Sequence, residues 1–202
     1  MKSKTDCRAY HQGARAEAAE ATGRRIVEAF LARVRKQWFE EITLDQVAED
    51  AGVTVQTVVR RFGGKPGLLA EGMKVMGAQI NARRAAAPDD VDALVENLVA
   101  DYERTGETVI RLLASEARHP ELKEFLDFGR SEHRRWTAEA FAKRLSQLDA
   151  AKGKETLDAL VVAGDVYTWN LLRCDMGRSV SATRRTMKFL FRSIIENSAR
   201  PD

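Results

Sequence analysis

The side chains best suited to chemistry crowd together between positions 54 and 65, TVQTVVRRFGGK. Gln56, Thr57, Arg60 and Arg61 can all donate hydrogen bonds to phosphates or bases. A glycine pair beside Lys65, just ahead of a helical run, has the makings of a phosphate-binding turn. That phosphate could belong to a nucleotide or to a nucleic-acid backbone. A nucleotide P-loop, G-x-x-x-x-G-K-[ST], requires glycine at 59 and Ser or Thr at 66, where this chain has Val59 and Pro66. No other stretch offers a competing chemistry. His11, His119 and His133 are scattered, and no His/Cys/carboxylate group has metal-ligand spacing. Cys7 and Cys174 are too few and too far apart for a disulfide framework, and no G-x-S-x-G elbow occurs. The sequence is therefore expected to hold no metal and no cofactor, and to be no enzyme.

The elements around this stretch read as helices throughout. From Thr22, the residues Ile26, Val27, Phe30, Leu31, Val34 and Trp38 recur at the three-and-four spacing of a buried helical face. Thr43 and Gln46 form a capping box that starts a short helix, with Ile42 and Val47 as its hydrophobic staple and Gly52 as its stop. Thr54 caps the next helix, which runs to about Arg61. Two short helices joined by a glycine-containing turn make a helix-turn-helix. A plain helical hairpin is the alternative, but the second helix is too short and too polar outside to be core. Phe62 then anchors its end, Gly63 and Gly64 turn the chain, and Pro66 suits the first turn of a helix running to about Ala87. Further helices are predicted at 89–103, 106–117, 120–148, 154–175 and 181–198, with Thr105-Gly106 as one of the breaks. The fold class expected is all-α. Its parts are a flexible tail over 1–21, a three-helix helix-turn-helix domain over 22–66, and a larger helical domain over 67–202.

Composition agrees with a globular helical chain: 44% hydrophobic and 31% charged over 202 residues. The formal net charge is +3, and residues 1–66 carry all of it, with twelve Lys/Arg against nine Asp/Glu. A polyanion partner for that third follows, although three charges are a weak argument alone. The N-terminus lacks a signal peptide's apolar core, and no run of 18 apolar residues occurs, so a cytoplasmic protein without membrane contact is expected.

The segment TLDQVAEDAGVTVQTVVRRFGGKPGLL resembles the DNA-binding signature of TetR-family transcriptional regulators. The matching positions are Thr43, Val47-Ala48, Ala51-Gly52-Val53, Thr54, Thr57, Phe62, Lys65 and the Leu pair, in register and without gaps. The preceding RRIVEAFLARV is similar to the family's first helix, so the likeness spans about residues 24–69. There are departures. Val59 stands where the family usually has a phosphate-contacting Tyr, Arg61 where it often has His, and Trp38 where a Gly usually follows the first helix.

The start of the second helix of such a motif faces base edges in the major groove. That nominates Thr54, Val55 and Gln56 as base contacts, since Gln can pair with adenine and Val can touch a thymine methyl. Thr43, Thr57, Arg60, Arg61 and Lys65 suit phosphates, as does Arg24 if it is more than a solvated charge. A single module binds weakly, so a homodimer on an inverted-repeat operator in double-stranded DNA is expected. Its interface would be Met187, Leu190, Phe191 and Ile194, joined by the preceding helix, unless these are core within one chain. The resemblance implies that the last two long helices form a four-helix bundle across a two-fold axis.

An effector pocket is the last expectation. Leu122, Leu126, Gly129, His133, Trp136 and Ala140 share one helical line, where a glycine leaves space and a histidine gives a polar handle. Asp165, Trp169 and Asn170 could face the same interior, with Tyr102, Phe125 and Phe128 as weaker candidates. A core histidine with its hydrogen bond satisfied is the competing reading. The resemblance implies a repressor released from its operator by a small molecule. A ligand-independent DNA-binding protein and a helical adaptor are the alternatives.

Overall fold

The structure, a computed structural model, describes residues 4–198, with side chains from residue 15 onward. Among the described residues the chain is helical with no strand. The helices are α1 (Lys4–Val34), α2 (Leu44–Ala51), α3 (Val55–Phe62), α4 (Lys65–Arg83), α5 (Val91–Ser115), α6 (Lys123–Ala140), α7 (Ala142–Leu145), α8 (Ala150–Ala163), α9 (Val166–Asn170) and α10 (Val180–Ser198). They fall into two compact units, Met1–Val75 and Met76–Asp202, and α4 carries the chain from one to the other.

In the first unit α1 begins well before the expected Thr22 and ends at Val34. Its stripe Ile26, Val27, Phe30, Leu31 and Val34 is buried as the spacing predicts. Trp38 is a correction to that stripe: it lies beyond the helix end and is exposed. Arg33 holds α2 through two hydrogen bonds to Asp50, 2.6 and 2.9 Å. The first half of α4 packs on α1 so closely that a Cβ at Gly72 would come 3.0 Å from the Phe30 ring.

In the second unit α5, α8, α9 and α10 surround a core of Leu94, Leu98, Leu160, Trp169, Met187 and Phe191. Three expected boundaries are corrected here. The break at Thr105-Gly106 does not occur, because α5 runs unbroken through Gly106, where the missing side chain makes room for the Trp169 ring. Helix 120–148 becomes a short 3-10 turn at Pro120–Leu122, then α6 and α7, divided at the buried Phe141. Helix 154–175 is cut where Gly164 ends one helix and Asp165 caps the next, accepting the Tyr167 N–H at 2.8 Å. After α9 the chain continues into a π-helical turn at Leu171–Asp175.

Asp101, invisible as a special residue in the sequence, anchors the start of this unit. Its carboxylate is inaccessible to solvent and accepts from Arg83 Nε and Arg84 Nε, each at 2.8 Å. A buried carboxylate requires such partners, because an uncompensated charge there would cost several kcal/mol.

Candidate functional site

The helix-turn-helix is built from its caps. Thr43 Oγ1 accepts the Gln46 N–H at 3.3 Å while Gln46 Oε1 accepts the Thr43 N–H at 3.0 Å, the reciprocal box expected from the sequence. Gly52 ends α2 in the left-handed region, φ 64°. Thr54 Oγ1 accepts the Thr57 N–H at 3.3 Å, and the two threonine hydroxyls lie 3.0 Å apart. Val47, Ala48 and Val58 are buried, and α3 is exposed along Gln56, Val59 and Arg60. Thr54 is exposed, while Val55 and Thr57 are half-buried. Arg60 has no ionic partner among the described residues, so its guanidinium stands ready for an external anion.

Three residues expected on phosphate have other engagements. Lys65 donates from Nζ to the Phe39 carbonyl at 2.5 Å and stands 4.1 Å from the centre of the Phe39 ring. The two glycines before it, both at positive φ (72° and 109°), turn the chain between α3 and α4. Arg61 lays its guanidinium along α1 beside Gly23, where an added Cβ would come 2.3 Å from Nε, and stands 5.8 Å from the centre of the Phe62 ring. Arg24 is a loose surface partner of Glu20 at 3.9 Å. Arg24 and Arg61 both line a groove whose other charged walls are Glu20, Glu28 and Glu71, an unfavourable seat for a phosphate. These roles were hidden from the sequence because they depend on which helix lies behind α3.

The second unit encloses a cavity of about 240 Å³. Its walls are mainly apolar, with Met76 and Ile80 from α4, Leu113 from α5, Phe125 and Leu126 from α6, and Val166 from α9. Gly129, His133 and Asp165 line it, as expected, and so do Tyr102, Phe125 and Phe128. Trp136 and Trp169 do not, which corrects two of the five pocket residues. Trp136 stands behind His133, ring centres 5.9 Å apart, and donates to the Arg84 carbonyl at 3.3 Å. Trp169 is buried against Gly106 and donates from Nε1 to Glu103 at 2.9 Å. The contribution of α4, and of Arg84 just beyond its end, to this cavity was not anticipated, because Met76, Ile80 and Arg84 read as ordinary residues of a helix running to about Ala87.

The polar end of the cavity is held by Tyr102, His133, Arg84 and Asp165. Tyr102 donates to the Gly164 carbonyl at 2.9 Å, and burial pushes its pKa up to about 12, so the phenol keeps its proton. His133 sits with Nε2 3.1 Å from the Val161 carbonyl. Burial lowers its pKa, outweighing that hydrogen bond, and the Arg84 charge pushes the same way. The neutral ring therefore donates from Nε2, and the buried Nδ1 is left as an acceptor without a partner.

Met187 and Phe191, expected at a dimer interface, are fully buried in the core of their own unit. This corrects the choice of face. Leu190 and Ile194 are half-buried against the same core. On α8 and α10 the exposed large hydrophobic residues are instead Val162, 65% exposed, and Phe189, 68% exposed.

Among the described residues no group of three or more His, Cys, Asp or Glu could hold a metal ion. No described helix is long and apolar enough to cross a membrane. The sequence matches no protein-family model and no curated protein. Among solved structures the chain is similar to a transcriptional regulator from Rhodococcus sp. Rha1, with 14% identity and a TM-score of 0.68. The likeness covers 89% of this chain and 99% of that one. At this identity it establishes the fold: an all-α chain with a helix-turn-helix unit and a larger helical unit.

Proposed function

We propose that this chain is a sequence-specific DNA-binding transcriptional regulator of the TetR type. It acts as a homodimer on an inverted-repeat operator in double-stranded DNA, as a repressor released by a small molecule. The observation that carries the reading is α3 itself, a doubly capped short helix that keeps Gln56 and Arg60 exposed over a buried Val58. In the reading, Thr54, Val55 and Gln56 meet bases, and Thr43, Thr57 and Arg60 meet phosphates. The domain over 22–66 binds DNA, and that over 67–202 regulates and dimerises.

The cavity in the second unit supports an effector, which must bind the DNA-incompetent form more tightly than the competent one to release the operator. The exposed Phe189 and Val162 favour dimerisation through the outer faces of α8 and α10. Nothing in the reading calls for catalysis or a cofactor.

Selection of bound sites from random DNA, followed by gel shifts at graded salt, tests it. Arg60→Ala should weaken binding to every sequence alike and reduce the salt slope by about 1. Gln56→Ala should instead change which sequences are selected. Absence of any retardation at low salt would overturn the reading in favour of a helical adaptor.

A further inference from the structure

We propose that the cavity of the second unit receives a small amphipathic cation, an apolar body carrying one protonated amine, with Asp165 as its counter-ion. The inference rests on the reading of this unit as the effector-binding part.

The charges around the cavity carry it. Arg130 is engaged by Glu116 at 3.0 Å and Asp127 at 2.8 Å. Glu132 is held by Arg135 at 2.7 Å, and Arg84 by Asp101 at 2.8 Å. Asp165 is the one charged lining residue with no oppositely charged partner among the described residues; one of its oxygens accepts the Tyr167 N–H. An incoming ammonium would supply that carboxylate with the charged partner it lacks.

The surroundings admit such a group. Phe125, Phe128 and Tyr167 line the cavity with aromatic rings, which attract cations. His133 is neutral at pH 7 and adds no repulsion. The Arg84 guanidinium shares the Asp101 carboxylate with Arg83 and lies 4.8 Å from the centre of the Tyr102 ring. Entry is left open by two helix-interior glycines. A Cβ at Gly77 or at Gly129 would meet nothing within 4 Å, so neither glycine is required by packing.

The test compares three probes of matched shape on the full-length protein by titration calorimetry: 4-phenylbutylamine, 4-phenylbutan-1-ol and 4-phenylbutanoate. The amine should bind about tenfold tighter than the alcohol, the scale of one charge-assisted hydrogen bond. Asp165→Asn keeps a good helix cap and should bring the ratio of amine to alcohol affinity to about one. Equal or tighter binding of the alcohol or the acid, or an amine preference that survives Asp165→Asn, overturns the inference. If that binding is also lost in Gly129→Phe, which fills the cavity edge, the effector reading stands without the cation. Failure of all three probes to bind overturns both, and leaves the DNA-binding reading to be judged by its own gel shifts.

Discussion

Gly106 and Trp169 lie so close that a Cβ built on the glycine would come 2.4 Å from the indole ring. The ring cannot easily move away, because it is buried and its Nε1–H is held by Glu103, which also accepts from Arg173 Nε at 2.8 Å. Glycine in mid-helix normally costs about 1 kcal/mol relative to alanine. Here the close approach of α9 to α5 outweighs that loss.

Gly106→Ala should therefore destabilise the protein by about 1–3 kcal/mol, the usual cost of overpacking, despite the gain in helix propensity. Gly77→Ala, whose Cβ meets open space, is the control and should stabilise by up to about 1 kcal/mol. Urea unfolding of both variants measures this. A Gly106→Ala protein as stable as the control would show that the Trp169 contact is not tight.

Lys65 is expected to matter for folding before it matters for DNA. Its ammonium donates to the Phe39 carbonyl and faces the Phe39 ring, pinning the start of α4 to the turn after α1. Lys65→Met keeps the apolar stem and removes both interactions, and should cost about 1–3 kcal/mol of stability. Chemical denaturation checks it. A loss below about 0.5 kcal/mol would return the side chain to the role of a simple phosphate contact.

His133 should make stability fall in acid. Its folded pKa is depressed by burial, whereas the unfolded imidazole titrates near 6.5. Below that value the unfolded chain binds a proton that the folded chain does not. The contribution is complete above about pH 6.5 and declines as pH falls toward the folded value, at up to about 1.4 kcal/mol per pH unit. His133→Gln, which can still donate to the Val161 carbonyl, should show a shallower loss between about pH 7 and 5. Parallel pH profiles for the two proteins would mean that His133 charges equally in both states.

The sequence alone determined the local structure of the first unit. Thr43 with Gln46, Gly52, Thr54 and the Gly63-Gly64 pair act through hydrogen bonds and φ angles within a few residues of themselves. Their types and spacing were enough to draw α2, the turn and α3. The buried stripe of α1 was legible for the same reason, since its period is a property of one helix. Only the tertiary structure decided what depends on a distant neighbour. It runs α5 through Gly106 because Trp169, 63 positions later, fills the space. It gives Asp101 to Arg83 and Arg84, turns Lys65 to Phe39, lays Arg61 on Gly23, and buries Met187 and Phe191 where an outward face was expected. A side chain's partner across the fold is set by packing and charge compensation between helices, and the pattern within any one helix does not record it.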